Sequence, residues 1–446
     1  MIALRLAIRN LLAARRRTFM LSSAIGLVTG LLILLLSMTH GIEDNLVESA
    51  TTLSAGHVNV GGFYKSSPTD AAPLLVDSSE LRKIVEEELT GVEYTVSRGR
   101  GWGKIISDQG SLNSGLSGIN LDEEQRFIGK LQLAMESEYI DGGREEVIGD
   151  PADLQKGRGI LIFAEHARTL QVKVGDPVAV QVELAGGQTN IEDFTVVAVA
   201  RDVGMISAWT AVVPMEDLHR LYWLNEDTTG VVMVYLDDIA RSTESRHELE
   251  VLMSEHGYEI MEHVPAPFFF KFETVSGEDW TGQKLDLTIW EDEVSFLTWV
   301  ITAFNVVTTF LVAVLVCIIA VGIMNALYNA VRERTRELGT LRAMGMTRTG
   351  VLRLVLLEAA ALGVFATTAG AIGGAVVAIG LDSLAVDIPV DAMRAILLSD
   401  TLRLSVRLGD LVVAVVVLSG LTVVASAWPA LRAAVLPPVT AMRHAE

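Results

Sequence analysis

The chain has 446 residues, of which half are hydrophobic and 20% are charged, with a formal net charge of −20 and a mean hydropathy of +0.40. This composition is too apolar for an ordinary soluble protein and too charged for a chain made only of membrane spans, so we predict a membrane protein with a large aqueous domain. The acidic balance argues against a nucleic-acid partner, which would need a basic surface.

Hydropathy predicts four transmembrane helices, each longer than the roughly 20 residues that a span requires. Arg and Lys orient them, because these residues concentrate on the cytoplasmic side of a membrane. Five Arg and no acid precede the first span, and residues 328–353 carry six Arg against two Glu. We therefore expect both termini in the cytoplasm. The spans are 18–40, 296–327, 351–380 and 409–434, with a cytoplasmic connection at 328–350, an external loop at 381–408 and a cytoplasmic tail at 435–446.

The N-terminal residues 1–17 combine apolar side chains with Arg5 and Arg9. This pattern predicts a short amphipathic helix at the inner membrane surface, and the alternative is a plain extension of span one. Span one is longer than the apolar region of a secretory signal and is followed by no small-residue cleavage site. We therefore interpret it as an uncleaved anchor.

Residues 41–295 form the predicted exported domain. They contain 46 acidic and 19 basic residues, a net charge of −27, whereas the rest of the chain carries +7. The one cysteine, Cys317, falls within span two, so we expect no disulfide in a compartment that would permit one. The difference in net charge separates an acidic outer domain from a basic inner face.

Strand-like and helix-like patterns alternate in this domain. The order strand, helix, strand occurs over 57–62, 78–89 and 92–97, and again over 231–236, 245–257 and 258–264. We therefore predict a split βαβ subdomain, formed by 45–120 and 230–275, with a mainly β subdomain over 121–229 inserted into it. Residues 283–295 are predicted to be a stalk that extends span two outward.

No catalytic or metal-binding pattern occurs in the sequence. The phosphate-binding loop GxxxxGK[ST] is absent, as are HExxH and GxSxG. The acidic runs 86–88 and 291–293 are typical of solvated helix faces rather than cation sites. We therefore expect neither covalent chemistry nor a metal or cofactor bound by this chain.

Span two leads directly into a charged segment. Residues 296–327 have no charged side chain, and a helix of that length would reach about 48 Å, more than the roughly 30 Å of a hydrocarbon core. The following residues are rich in Arg and end at Met344-Gly345-Met346. We interpret them as a short helix at the membrane surface, placed to transmit a push along span two.

This charged segment includes ERTRELGTLRAMGM at 333–346, which is similar to the inner-loop signature of the FtsX/MacB/Lol-type permeases of ABC transporters. Further resemblance lies in AIRNLLAARRRTFMLSSAIGLVTG (7–30), GILIFAEHARTLQVKVGDPV (159–178), LLEAAALGVFATTAGAIGG (356–374) and WPALRAAVLPPVTAMR (428–443). The pairs Gly26/Gly30 and Gly370/Gly374 are less specific and indicate close helix packing.

The resemblance implies a type VII (MacB-like) ABC architecture and a mechanotransmission permease. ATP and Mg would be bound by a separate cytoplasmic ATPase dimer of the LolD or MacB kind, and the permease would pair with a second copy or a paralogue. In the alternative, the arginines only set topology and bind lipid headgroups. The residues implied in ATPase coupling are Arg332, Glu333, Arg334, Arg336, Glu337, Leu338, Leu341, Arg342, Met344 and Gly345.

The size of the exported segment and the absence of a fused ATPase resemble the lipoprotein-releasing branch, located in the bacterial inner membrane. The implied function is extraction of a lipoprotein or other amphiphile for a periplasmic carrier. The alternatives are MacB-like efflux of a peptide, toxin or antibiotic through a periplasmic adaptor, and FtsX-like signalling to a cell-wall hydrolase. A short connection within 199–222, where a partner-hooking loop is expected, departs from the pattern.

Membrane lipid or a lipid-anchored substrate would contact the outer halves of spans one and two, and a lipid tail or a soluble carrier would contact a Phe-rich segment at 265–272. Packing between the two spans, or core packing of the Phe-rich segment, predicts the same residues. The candidates are Leu35, Met38, Phe296, Trp299, Val300, Phe304, Phe268, Phe269 and Phe270.

Overall fold

A computed structural model describes residues 9, 15–68, 70–184, 187–203, 207, 209–333, 335–390, 393–394, 397, 399 and 401–435. Most of the predicted N-terminal helix over 1–17 and the tail after 435 therefore lie outside the described residues. The chain divides into two compact units. We call Met1–Asn45, Ile301–Pro389 and Ser399–Glu446 the helical unit, and Leu46–Val300 with Val390–Leu398 the α+β unit.

Helices and strands are numbered in chain order over the described residues. The helices are α1 (Arg15–Leu53), α2 (Ser78–Glu88), α3 (Gln125–Lys130), α4 (Glu136–Tyr139), α5 (Ala164–Leu170), α6 (Met215–Tyr222), α7 (Ser242–Glu255), α8 (Phe268–Gly277), α9 (Trp290–Glu293), α10 (Ser295–Glu333), α11 (Thr335–Ala343), α12 (Arg348–Ser383) and α13 (Leu408–Val435). The strands are β1 (Val58–Ser67), β2 (Asp70–Ala72), β3 (Leu75–Val76), β4 (Val92–Ile106), β5 (Ser111–Ile119), β6 (Gly159–Phe163), β7 (Pro177–Glu183), β8 (Thr189–Ala200), β9 (Thr210–Pro214), β10 (Thr228–Thr229), β11 (Val231–Leu236) and β12 (Gly282–Ile289). Short 3-10 turns lie at Pro151–Lys156 and Ile239–Arg241.

Four of these helices are long and apolar enough to cross a membrane, namely α1, α10, α12 and α13. The prediction of four spans with an α+β domain between the first two is confirmed. Helix α1 continues to Leu53, well beyond the predicted end of span one at residue 40. Residues Ile42, Leu46, Ala50 and Leu53 are all buried and recur every three or four positions, which is a helical spacing.

Glycine brings α1 and α12 into backbone contact. A Cβ placed on Gly370 would lie 2.2 Å from the carbonyl oxygen of Gly26, and one on Gly374 would lie 2.7 Å from that of Gly30. The two GxxxG pairs therefore face each other, and the predicted close packing is confirmed. Hydroxyl groups also form hydrogen bonds between helices. The Oγ1 atoms of Thr39 in α1 and Thr308 in α10 are 2.8 Å apart, and Thr367 Oγ1 in α12 lies 3.0 Å from Ser419 Oγ in α13.

The first part of the α+β unit is an open antiparallel sheet in the order β12-β1-β11-β4. Helices α2 and α7 cover one face of it. The shared core consists of apolar side chains that alternate along the strands, including Val58, Val60, Val232, Val234, Leu285 and Leu287, together with Leu81, Val85 and Leu249 from the helices. This alternation is the period of two expected for a half-buried strand.

The second part is a closed ring of six strands. The sheet runs β4-β5-β9-β6-β8-β7, and β7 pairs back onto β4. Strand β4 belongs to both parts, because Val92–Arg98 pair with β11 and Gly99–Ile106 pair with β5. The ring therefore begins before residue 121, which we had predicted as the start of the inserted β subdomain. Its core includes Ile105, Leu116, Ile162, Val180 and Phe194.

Two strand assignments differ from the sequence-based prediction. Residues 258–264 form no strand and contribute only an isolated bridge between Ile260 and Leu285. The fourth strand of the open sheet is instead β12, which lies in the stretch predicted to be a stalk and pairs with β1 from Val58↔Ile289 to Lys65↔Gly282. Leu285, Leu287 and Ile289 of β12 are buried. Their alternation is that of a strand, although the segment lies close to span two in the sequence.

Candidate functional site

The charged segment that follows span two is helical on both sides of position 334, which lies outside the described residues. Helix α10 ends at Glu333 and α11 covers Thr335–Ala343. Gly345 then adopts a φ of +102°, a backbone conformation that glycine adopts without steric cost. The Thr347 hydroxyl accepts a hydrogen bond from Gly350 N at 3.1 Å and caps α12. The segment is therefore a helix bounded by a glycine turn.

Part of α11 packs against the chain itself. The Arg342 guanidinium donates to the carbonyl oxygen of Ala434 in α13 at 3.2 Å. Leu341 packs against a buried cluster that includes Val351, Val355 and Ala430, which differs from the expectation that it faces a partner. Met344 is 71% exposed and is an outward apolar group among the described residues of this segment.

The remaining residues of the predicted coupling set are only partly described. Arg332, Glu337 and Gly345 are exposed. Position 334 and the side chains of Glu333, Arg336 and Leu338 lie outside the described residues. Helix α11 therefore has one side bound to α13 through Arg342 and another side, which includes Glu337, that is exposed.

Aromatic and basic side chains meet at the ends of α10 and α13. The Tyr328 and Trp428 rings stack with centroids 5.9 Å apart. The Arg432 guanidinium lies 5.0 Å from the Trp428 ring, and that of Arg332 lies 5.7 Å from the Tyr328 ring. Trp, Tyr and Arg in this combination are typical of a membrane–water interface.

The predicted lipid-contact residues of the two spans differ in exposure. Met38 is 36% exposed and Trp299 75% exposed, whereas Leu35, Val300 and Phe304 are half-buried. The Phe296 side chain lies outside the described residues. Among the described candidates in the two spans, Met38 and Trp299 are therefore the exposed ones.

The three predicted phenylalanines of α8 separate into two groups. Phe269 and Phe270 are 53% and 68% exposed. Phe268 is half-buried, with the Arg100 guanidinium 3.8 Å from its ring centroid. Core packing is therefore the role of Phe268, and an apolar surface is formed by the other two.

Buried cations hold α8 in place. The Lys65 ammonium donates to the carbonyl oxygens of Val275 and Glu278 at the end of the helix, at 2.8 and 2.6 Å. Lys271 donates to both carboxylate oxygens of Asp286 at 2.7 and 2.8 Å. Burial raises the pKa of Asp286, and the Lys271 ammonium opposes that effect. The helix that displays Phe269 and Phe270 is thus fixed by charge-assisted hydrogen bonds.

A set of polar contacts that we call the α1 clamp holds the end of α1. The last carbonyl oxygens of a helix have no partner within it. Here Arg98 of β4 donates to those of Leu53 at 2.8 Å and Thr52 at 3.3 Å, and the Tyr235 hydroxyl donates to that of Thr51 at 2.9 Å. Glu124 accepts two hydrogen bonds from Arg98, both at 2.7 Å.

The charge state of the α1 clamp is well defined. Arg98 and Glu124 are 4% and 3% exposed. Burial disfavours the Arg98 charge, but the paired Glu124 carboxylate outweighs this effect, and the pKa of Arg98 lies above its ordinary value. Burial disfavours the ionised form of Tyr235 and raises its pKa, so its hydroxyl remains a hydrogen-bond donor at neutral pH.

A second set, the α10 clamp, lies immediately before α10. Arg100, two residues after Arg98 on β4, pairs with Glu293 at 3.4 Å. Glu293 also accepts from Thr288 Oγ1 at 3.0 Å and from Phe268 N at 3.3 Å. Beside it, His263 Nε2 lies 2.9 Å from Asp292 Oδ2. Glu293 is the last residue of α9, and α10 begins at Ser295.

Sequence reasoning missed both clamps. The available signal was the run Arg98-Gly99-Arg100-Gly101, since arginine alternating with glycine is unusual in a strand whose neighbours are apolar. Their carboxylate partners lie 26 and 193 residues away along the chain. Within the described part of the chain, His, Cys, Asp and Glu form no group of three that could hold a metal ion.

Comparison with family models gives two matches. Residues 18–252 match the model described as a MacB-like periplasmic core domain. Residues 309–438 match the model described as the C-terminal part of FtsX-like permeases. The first covers more than half of the chain, and the second includes α11, α12 and α13.

Curated relatives and solved structures are similar to the chain at low identity. The lipoprotein-releasing system transmembrane protein LolC of Xylella fastidiosa is 25% identical over 67% of this chain and 68% of its own length. LolC of Neisseria meningitidis serogroup B is 23% identical over 98% of each chain. The macrolide export ATP-binding/permease protein MacB of Nitrobacter winogradskyi is 23% identical over 96% of this chain and 58% of its own. The extracellular domain of the noncanonic ABC-type transporter YknZ covers 51% of this chain and 98% of its own, with 15% identity and a TM-score of 0.29.

Proposed function

The chain belongs to the FtsX-like permeases with a MacB-like periplasmic core domain, which are ABC transporter permeases, and we propose that it couples ATP hydrolysis by a separate subunit to movement of its α+β unit. The observation that carries this proposal is helix α10. It runs without interruption from Ser295, beside the α10 clamp, to Glu333, beside the charged segment. At 39 residues it is about 58 Å long, and a rigid helix of that length transmits displacement.

The ATPase would bind the charged segment. Exposed Glu337 and Met344 support docking in a groove of a cytoplasmic ATPase dimer that holds ATP and Mg. The bond from Arg342 to Ala434 O would pass a displacement of α11 to α13 as well. Two permease chains, identical or paralogous, would form the complete transporter.

The bacterial inner membrane is the proposed location, with both termini in the cytoplasm. The net charge of −27 over residues 41–295, against +7 for the rest of the chain, supports this orientation because basic residues remain inside. The Tyr328, Trp428 and Arg432 cluster would mark the inner interface.

The proposed substrate is a lipoprotein or another amphiphile, extracted from the membrane and passed to a periplasmic carrier. Relatives that are named as lipoprotein-releasing proteins support it, as do the exposed Phe269, Phe270 and Trp299. Export of a small molecule or peptide through an adaptor is the second candidate, and the match of a MacB protein over 96% of this chain favours it. Signalling to a cell-wall hydrolase is the remaining alternative.

The test is affinity purification of the full-length protein in mild detergent, followed by mass spectrometry of associated proteins and acylated material. We expect an ATPase and a lipid-anchored protein with the parent chain. The double charge reversal Arg336→Glu/Glu337→Arg should lose the ATPase, whereas the control Arg348→Glu, an exposed residue at the start of α12, should retain it.

Three outcomes would count against parts of the proposal. Retention of the ATPase by the double reversal would overturn the coupling role of α11. Equal loss with Arg348→Glu would favour arginines that only orient the chain. An ATPase with an adaptor or a hydrolase, and no acylated cargo, would replace extraction by export or signalling.

A further inference from the structure

Strand β4 binds the C-terminal end of α1 and the residues immediately before α10. Arg98 binds the carbonyl oxygens of Thr52 and Leu53, and Arg100 binds Glu293, two residues before α10 begins. Side chains two positions apart point to the same face of a strand, about 7 Å from each other. One short piece of β4 thus carries both clamps.

This piece of β4 is also the junction of the two sheets. Arg98 is paired with Val231 in the open sheet, and Arg100 is paired with Ser117 in the six-stranded ring. Both clamps are therefore located at the junction of the open sheet and the ring.

The space around Arg100 is provided by glycine. A Cβ on Gly230 would lie 2.4 Å from the backbone N of Arg100 and 2.5 Å from its Cβ, and a Cβ on Gly61 would lie 3.1 Å from its Nη1 atom. Glycine is therefore required at Gly230, immediately before β11, and glycine at position 61 of β1 leaves room for the guanidinium.

Stability alone does not account for the clamps. A buried ion pair is often no better for stability than apolar residues of similar volume, because removing two charges from water costs several kcal/mol per ion. The Arg98–Glu124 pair fixes the orientation of the two side chains, since a bidentate pair requires a specific geometry between the guanidinium and the carboxylate. A helix end bound in this way cannot rotate without moving β4.

We propose that Arg98 and Arg100 are positioning residues that transfer displacement of α1 and α10 to the junction of the open sheet and the ring. This inference rests on the proposed function as an ATP-driven permease. It adds the elements through which movement would enter the α+β unit.

The test uses the full-length protein in complex with its co-purifying ATPase. Spin labels are placed at Gln188, exposed between β7 and β8, and at Val306, 63% exposed on α10. The background is Cys317→Ser, which removes the one native cysteine. Distances are measured with and without ATP, and hydrogen exchange across β4 and β5 reports whether the α+β unit is folded.

Three variants are compared with the parent. Arg98→Met/Glu124→Leu removes both charges of the α1 clamp, and Tyr235→Phe removes a single hydrogen bond without touching a charge. The matched control is Arg82→Met/Glu123→Leu, because Arg82 Nη1 also donates to both oxygens of a carboxylate, each at 2.9 Å, but Arg82 binds neither α1 nor α9.

The parent and the control should show an ATP-dependent distance shift. The Arg98→Met/Glu124→Leu variant should lose the shift while ATP turnover continues, and Tyr235→Phe should reduce it. An α1-clamp variant that keeps its exchange protection and still shows the full distance shift would overturn the inference. The proposed function would remain intact. The absence of any shift in the parent would overturn both.

Discussion

In the helical unit, glycine makes backbone contact between α1 and α12 within a core of larger apolar side chains, whereas the α+β unit also uses buried ion pairs. Gly26 and Gly30 place α1 against the backbone of α12. Lys271 and Asp286, by contrast, are a fully buried ion pair. The difference follows from the solvent. Lipid gives no hydrophobic drive to helix association, so close packing decides, and water makes charge burial a matter of exact pairing.

The largest effect is expected in the α+β unit. Asp286→Ala leaves the buried Lys271 ammonium without its carboxylate, and we expect a loss of about 3–5 kcal/mol in the free energy of unfolding. Urea unfolding of a fragment covering residues 46–294 measures it. The control Lys271→Met/Asp286→Leu removes both charges and should be near neutral. Equal losses in the two variants would show that shape, not charge pairing, fixes α8.

A smaller effect is expected in the helical unit. Gly370→Leu places a side chain where the carbonyl oxygen of Gly26 lies, and overpacking of this kind costs about 1–3 kcal/mol. Gly373→Leu is the matched control, since nothing lies within 4 Å of a Cβ at that position of the same helix. Unfolding of the full-length protein in increasing sodium dodecyl sulfate gives both values. Indistinguishable curves would contradict the proposed role of glycine in packing α1 against α12.

The smallest effect concerns pH and belongs to the α+β unit alone. Burial lowers the pKa of His57, whose Nδ1 accepts the Leu236 N–H at 3.0 Å. The unfolded chain therefore binds the proton more readily than the folded one, and the stability from His57 is complete above pH 6.5 and lost as pH falls through the lower folded pKa. The 46–294 fragment should become less stable from pH 7 to 5.5. His57→Gln, which keeps an acceptor, should flatten this change; an unchanged slope would exclude His57 as its source.

The fragment boundary itself illustrates what the sequence missed. A soluble piece ending at residue 285 would satisfy the predicted subdomain limits. It would also remove half of β12, whose pairing with β1 continues to Ile289. The alternation of Leu285, Leu287 and Ile289 was readable, but the nearby span favoured a stalk. Extended pairing with β1, 217 to 231 residues earlier in the chain, cannot be predicted from local pattern.

The candidate coupling segment could be located from sequence because charge and hydropathy are local properties. Which of its side chains face outward could not. Leu341 and Arg342 contact residues of α12 and α13, and those contacts depend on how helices nearly 90 residues apart in the chain are packed.

The sequence by itself determined the four spans, the α+β class of the domain between them, close helix packing at the glycine pairs and the family. Each of these follows from composition or short-range period, which need no knowledge of distant residues. Tertiary structure decided the rest, namely the six-stranded ring closed by β7 on β4 and the two clamps. Arg98 pairs with Glu124, and Arg100 pairs with Glu293, because a buried charge needs a polar partner, and only the fold brings these distant residues together.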